Sequence, residues 1–534
     1  MAASGGMVPA STRVMNLSHF LTETARRHSA EAGFVWGAQS WTWAEMEARA
    51  AAFARALQTE FGVSKGDRIL VQSENCNQMF EAMFACWRLG AVWVPANFRQ
   101  SPQDIAWLAA SSGARGLICG ARFEEHAAAC APSVEFTISI GSADFAEDYE
   151  TILARHTGQS CSTEPVDRDD PAWFFFTSGT TGRPKAAVLT HGQMAFVVTN
   201  HLCDLMPATG PKDASLVVAP LSHGAGVHQL AQVAHGVKTI LPAQDKFDPA
   251  EIWHLVEKWR VTNMFTVPTI VKLLVEHESL GRFDHSSLRY VIYAGAPMYR
   301  ADQVRALKAL GPVLVQYFGL GEVTGNITVL PPAQHHIEDG AMRVGTCGFA
   351  RTGMQVQIQT PSGEECAPFE TGEIAVIGPA VFAGYHDNPK ANAESFRNGW
   401  FLTGDLGHMD EEGFVYLTGR ASDMYISGGS NIYPREIEEK LLMHPALSEA
   451  AVLGVPDPVW GEVGIAVCVA KDGKQPEPQE VLDWLADRIA RYKLPRRMVF
   501  WDEMPKSAYG KITKKTIRDE LLARKEIEGE LAPS

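Results

Sequence analysis

Thr177-Ser178-Gly179-Thr180-Thr181-Gly182-Arg183-Pro184-Lys185 follows an apolar aromatic run, Trp173-Phe174-Phe175-Phe176. The run is short and reads as a buried strand, so the polar residues form a loop leaving a strand end. The glycines let the backbone turn and approach a ligand closely, hydroxyls and main-chain N–H groups offer donors, and Lys185 adds a point charge. That combination suits a polyphosphate. It is not the P-loop pattern, because no Gly-Lys-Ser/Thr closes it and Pro184 stands between Arg183 and Lys185. Taken alone, a Ser/Thr/Gly loop with one lysine is usually a solvated connection, and the rest of the chain has to decide.

Outward from the loop, the chain alternates. Arg68 to Val71 reads as a strand, Gln78 to Leu89 as a helix with Met79, Met83, Phe84 and Trp87 on one side, and Ala91 to Pro95 as the next strand. Residues 130 to 168 show weak periodicity and are expected to form an irregular connection. Past Lys246, Asp248 is placed to cap a helix with Pro249 at its first position and Ile252, Leu255, Val256 and Trp259 as its buried stripe. Strands are expected at Met264 to Val267, Arg289 to Tyr293 and Val313 to Tyr317, with helices at Ile270 to Glu276 and Ala301 to Leu310. This is α/β texture, with parallel-type sheets covered by helices and ligand loops at strand ends. Past residue 350 glycine-punctuated short strands predict an antiparallel or barrel-like piece. Near Gly419-Arg420 a second unit begins, a small α+β domain with a helix from Pro434 to Leu442, a strand at Ala450 to Leu453, a helix from Val481 to Arg491 and a strand at Met498 to Trp501. The division expected is 1–420 for a large N-terminal domain and 421–534 for a small mobile C-terminal one.

The 534 residues allow about three or four compact units with sizeable cores. A composition of 46% hydrophobic and 20% charged residues is that of a globular protein, and a net charge of -15 argues against a nucleic-acid surface. No apolar run is long enough to span a bilayer. Met1 to Met15 is small and polar, a loose tail without an export signal, and the final Leu531-Ala532-Pro533-Ser534 is no peroxisomal address. Nine cysteines without a C-x-x-C pair fit reduced thiols and a cytoplasmic location, with no Cys/His metal cluster. A homodimer stays open.

The nonapeptide resembles the phosphate-binding signature of the adenylate-forming enzymes, the superfamily of acyl-CoA synthetases, amino-acid adenylation domains and firefly luciferase. Five further blocks resemble that family in the same order. Gly295-Ala296-Pro297 is similar to its adenine-contacting turn. Gln316-Tyr317-Phe318-Gly319-Leu320-Gly321-Glu322 is similar to its Tyr-Gly-x-Thr-Glu motif, with Phe318 for the tyrosine and Gly321 for the threonine. Gly399-Trp400-Phe401-Leu402-Thr403-Gly404-Asp405-Leu406-Gly407 resembles the ribose block, and Gly419-Arg420-Ala421-Ser422-Asp423 with Ser427-Gly428-Gly429-Ser430-Asn431-Ile432 the hinge and its glycine loop. Pro505-Lys506-Ser507-Ala508-Tyr509-Gly510-Lys511 resembles the final, lysine-bearing block.

The resemblance implies an ATP-dependent carboxylic acid:CoA ligase that forms acyl-AMP and then the thioester, with Mg2+ and with CoA as co-substrate. It implies nucleotide contacts by Thr177, Ser178, Gly179, Thr180, Thr181, Lys185, Gly295, Ala296, Pro297, Tyr317, Phe318, Gly319, Asp405, Arg420 and Lys511. Glu322 would hold the metal, Lys511 would catalyse adenylation, Ser422 would serve as hinge beside Asp423, and Gly428 and Gly429 would line a CoA channel. Pro220-Leu221-Ser222-His223-Gly224-Ala225-Gly226 resembles the block beside the acyl carboxylate, with His223 as gate. It lacks the aspartate with which amino-acid-activating relatives hold an ammonium. Gly224, Gly321 and Gly325 beside Phe265 and Val267 imply a roomy, largely apolar acyl pocket, with Asn326 and Thr328 as polar contacts. That favours an aromatic, arylalkenyl or medium-chain acid. A freestanding enzyme loading a carrier protein shares these motifs, and a catalytically weakened nucleotide-binding relative is the alternative of another class.

Overall fold

Two bodies of unequal size arise from the alternation, a large N-terminal α/β domain and a small C-terminal domain. The computed structural model describes residues 11–178, 183–244, 246–296, 298–338, 343–471, 474–505 and 513–527. Within these, three apolar clusters draw only on residues up to Leu417, and two more only on residues from Tyr425 to Ile527.

The large domain carries two main sheets. In the first, Val92–Ala96, Arg68–Gln72, Gly116–Gly120 and Phe136–Ile140 run parallel to their neighbours, and Pro171–Ser178 joins alongside Val92–Ala96. Pro184–Thr190 then returns antiparallel to Pro171–Ser178. In the second sheet, Lys238–Leu241, Ala214–Val217, Asn263–Thr266, Tyr290–Tyr293 and Leu314–Phe318 form a parallel centre. Antiparallel strands from Thr328–Leu330 to Gln355–Gln359 continue it. Helix starts follow local chemistry. Asp248 accepts the Ala250 N–H at 2.9 Å and Pro249 opens the helix Pro249–Trp259. Thr42 and Glu45 close a capping box on Trp43–Thr59.

Three expectations need correction. Residues 130 to 168 are not an irregular connection, since they hold the strand Phe136–Ile140 and the helix Tyr149–Arg155. The strand is specified by its partner Gly116–Gly120, a long-range pairing that local periodicity does not report. The N-terminal tail is anchored sooner than expected, with Arg13 and Val14 paired antiparallel to Asp167 and Val166. The helix expected from Val481 to Arg491 spans Pro478–Ala486.

In the small domain Leu447–Asp457 and Gly461–Ala470 form an antiparallel pair, and Arg497–Trp501 lies parallel to Gly461–Ala470. Its helix Pro434–Leu441 packs against the large domain's strand Phe414–Arg420. No helix among the described residues is long and apolar enough to cross a membrane.

Candidate active site

Four neighbouring parallel strands of the second sheet end on one edge. The segments beyond their carboxyl ends carry His223, Val267, Gly295 with Ala296, and Gly319. Loops at such an edge converge on one crevice. Pro171–Ser178 of the first sheet delivers Thr177 to the same place, and alternation along it sorts the side chains. Trp173 and Phe175 join one core cluster, whereas Phe174 and Phe176 join another. Thr177 shares the face of Phe175. Lys185 is its cross-strand partner, so the lysine stands on a strand beside the threonine and not in a loop.

The centre of the crevice is Glu322, 5% exposed. Thr177 donates from Oγ1 to Glu322 Oε1 at 2.7 Å, and Tyr385 donates from its phenol to the same oxygen at 2.9 Å. Both donors meet Oε1, so neither of them engages Oε2. Tyr385 is held in turn: Asn392 accepts its backbone N–H at 2.6 Å and donates to its carbonyl at 3.0 Å. The Lys185 ammonium lies 5.2 Å from the centre of the Tyr385 ring. Burial, followed by the Glu322 charge, pushes the Tyr385 phenol far up, so it stays a donor.

Glycines let these segments approach. A Cβ on Gly319 would lie 2.5 Å from the Gly325 backbone, so only two glycines let this turn fold back on itself. Gly295 turns the end of Tyr290–Tyr293 with a φ of 83°. At Gly321 a Cβ would stand 2.6 Å from the Phe175 ring and 2.7 Å from Thr177 Cγ2. The room expected from this glycine is therefore filled by Phe175 and Thr177.

Beside Glu322 lies an aromatic wall. His223 lies tilted by 40° against Phe175 with ring centres 4.5 Å apart, and Phe265 and Tyr317 stack at 5.8 Å and 19°. A Cβ on Gly224 would come within 2.9 Å of Phe265. Strand alternation sends Tyr317 to this wall and Phe318 to the opposite side, so Tyr317 stands with the acyl-pocket candidates. Thr328, fully buried, donates its hydroxyl to the Cys347 carbonyl at 2.5 Å.

Asp405 and Arg420 are cross-strand partners, and Arg420 Nε donates to Asp405 Oδ1 at 3.2 Å. Burial raises the Asp405 carboxyl above its ordinary range, with Arg420 opposing. Ser422 is exposed and donates to Asp423 Oδ1 at 3.3 Å. Gly428 and Gly429 are exposed with φ of 56° and 82°, and Trp460 lies over Gly428. Gly179, Thr180, Thr181, Pro297 and Lys511 lie outside the described residues, as does the side chain of Ser178. Tyr385 escaped the sequence reading because nothing local ties it to a carboxylate 63 residues away, and Asn392 escaped it because its role runs through Tyr385.

The residues fit a magnesium–nucleotide pair. A buried carboxylate with one oxygen engaged by two hydroxyls is a hard ligand, and a second carboxylate steadied by an arginine suits ribose hydroxyls.

The AMP-binding enzyme family model matches residues 21–386, and the AMP-binding enzyme C-terminal domain model matches residues 436–511. The chain is 38% identical over 484 residues to the feruloyl-CoA synthase of Amycolatopsis sp, spanning 90% of this chain and 94% of that one. It is 32% identical over 516 residues to the indoleacetate–CoA ligase of Aromatoleum aromaticum, spanning 96% and 99%. Among solved structures it is similar to the o-succinylbenzoate coenzyme A synthetase of Bacillus subtilis in complex with ATP and magnesium ion. The TM-score is 0.82 with 29% identity, over 94% of this chain and 99% of that one.

Proposed function

The chain belongs to the AMP-binding enzyme family as an ATP-dependent acid–CoA ligase, and from that premise we propose that its acid is aromatic or arylalkenyl. The observation that carries this reading is the wall of Phe175, His223, Phe265 and Tyr317 beside Glu322, an aromatic surface against which a flat ring leading to a carboxylate would pack. The similarity to a feruloyl-CoA synthase and an indoleacetate–CoA ligase supports it.

A carboxylate oxygen attacks the α-phosphorus of ATP to give acyl-AMP and pyrophosphate. The CoA thiol then attacks the acyl carbon and releases AMP. Both partners of the first step are anions, so the protein's task is to orient them and spread charge. Magnesium, when bound, neutralises the ATP phosphates. Glu322 would hold it, as a buried carboxylate oriented by two hydroxyl donors. Thr177 and Tyr385 fix that carboxylate, and Lys185 supplies a cation beside the phosphates. Asp405 accepts the ribose hydroxyls while Arg420 steadies it, and His223 sits at the acyl carboxylate. The large domain ends at residue 420 and the small one begins at 421. Lys511 serves adenylation and withdraws as the small domain turns about Ser422, which brings Gly428 and Gly429 to the thiol channel. The nine free cysteines support a reducing, cytoplasmic location.

The test is a panel of carboxylic acids assayed for AMP release with ATP and magnesium, with and without CoA. Aryl and arylalkenyl acids are expected to give CoA-dependent release well above aliphatic ones. A preference for aliphatic acids would overturn the assignment.

A further inference from the structure

Behind the Phe265–Tyr317 pair lies a set of buried polar groups that the chemistry above does not use. Arg351, 1% exposed, has its guanidinium 5.9 Å from the Tyr317 ring centre and its charge balanced by Asp204, with Nε 3.7 Å from Oδ2. Its Nη1 donates to the Gly325 carbonyl at 3.3 Å and to Asn326 Oδ1 at 2.8 Å. A guanidinium can only donate, so it fixes which way the Asn326 amide stands, oxygen toward Arg351 and NH2 away. Asn326 is fully buried, and its Nδ2 has no acceptor within reach among the described residues. Gly325, directly before it, lies flat on Tyr317, since a Cβ there would stand 2.4 Å from the ring. The unfilled donor therefore sits on the turn that backs the aromatic wall.

A second unfilled group lies beside the same pair of rings. His228, 1% exposed, has its ring 6.1 Å from Phe265. Its Nε2 is 3.1 Å from Asn263 Oδ1 and 3.0 Å from Gln232 Nε2, while its Nδ1 has no partner. Buried polar atoms are nearly always paired, and exceptions ask for a ligand or an ordered water.

Resting on the ligase reading, we propose that Asn326 Nδ2 recognises an oxygen substituent on the ring of the acid, so that oxygenated aryl acids are preferred to their hydrocarbon isosteres. Such a site rejects the analogue that leaves its donor unpaired.

The experiment compares kcat/KM for AMP release with meta- and para-methoxycinnamate against meta- and para-ethylcinnamate. Methoxy only accepts hydrogen bonds, and ethyl matches its shape. The wild type is expected to favour one methoxy acid over its ethyl partner by about tenfold or more. Asn326→Asp keeps the size and the Arg351 partner but removes the donors, and Asn326→Leu removes both. In each the methoxy-to-ethyl ratio is expected to fall to near one, whatever the absolute rate. A wild-type ratio within threefold for both pairs, or an unchanged ratio in Asn326→Asp, would overturn the proposal while leaving the ligase reading standing. The wild-type ratio decides even where a variant fails to fold. Absence of AMP release with every acid would overturn the ligase reading and this one together.

Discussion

Thr177 and Glu322, 145 residues apart in the chain, meet through a hydrogen bond of 2.7 Å from the threonine hydroxyl to the carboxylate. The contact joins the end of a first-sheet strand to the turn after a second-sheet strand, so the two sheets share one anchor at the crevice. Tyr385 reaches the same oxygen. Thr177→Val and Tyr385→Phe each remove one donor to a buried charge, a loss of about 1.5–3 kcal/mol. Each is expected to lower kcat/KM for AMP release about tenfold to a hundredfold and to raise the magnesium concentration needed for half-maximal rate. Magnesium titration checks this, and an unchanged magnesium requirement in both variants would sink the positioning role.

Gly321 is the residue where a threonine was expected, and Phe175 with Thr177 occupies the space a side chain would need. Gly321→Thr should overpack the site at a cost of about 1–3 kcal/mol and reduce turnover. Shortening the neighbour in the double variant Phe175→Leu, Gly321→Thr should restore melting temperature and part of the rate. Thermal melting and steady-state kinetics read both effects, and a double variant worse than the single one would contradict the packing account.

Asp405 must be ionised to accept two hydroxyls, and burial raises its carboxyl above the ordinary range. Its proton therefore binds at a higher pH than on an exposed aspartate, and AMP affinity should weaken as pH falls through that raised value. Asp405→Asn should bind AMP more weakly at neutral pH and show a flatter acid limb. Calorimetric titration of AMP across the acid range checks this; identical limbs in the two proteins would be the contrary result.

Buried histidines make the fold acid-sensitive. Burial lowers His191, His228 and His335 to about 4, and His201 falls well below its ordinary value. The unfolded chain takes up these protons near pH ~6.5, before the native state does, so stability is complete above that pH and is lost as pH drops toward about 4. Each group accounts for up to about 3 kcal/mol. His335→Gln should make the fall with pH shallower by one proton, as read by denaturant unfolding at several pH values. An unchanged slope would remove His335 from the account.

How much was legible in the residues depended on how local the signal was. Asp248 and Pro249 announce a helix start by themselves, and Trp173 to Phe176 announces a buried strand. Glu322 was reachable because its motif is a contiguous string. Tyr385 was not, because its position comes from pairing of residues 383–386 with the strand Pro184–Thr190. Phe136–Ile140 was missed for the same kind of reason, and Tyr317 was grouped with Phe318 until strand alternation separated their faces. The packing of Phe175 into the space at Gly321 belongs to two sheets meeting, which no single stretch encodes.

The most direct test is acid-dependent exchange of labelled pyrophosphate into ATP, measured for the wild type and for Glu322→Gln. Exchange is expected with an aryl or arylalkenyl acid and magnesium, falling at least a hundredfold in the variant. Exchange without any acid, or undiminished in Glu322→Gln, would contradict an adenylating centre built on that carboxylate.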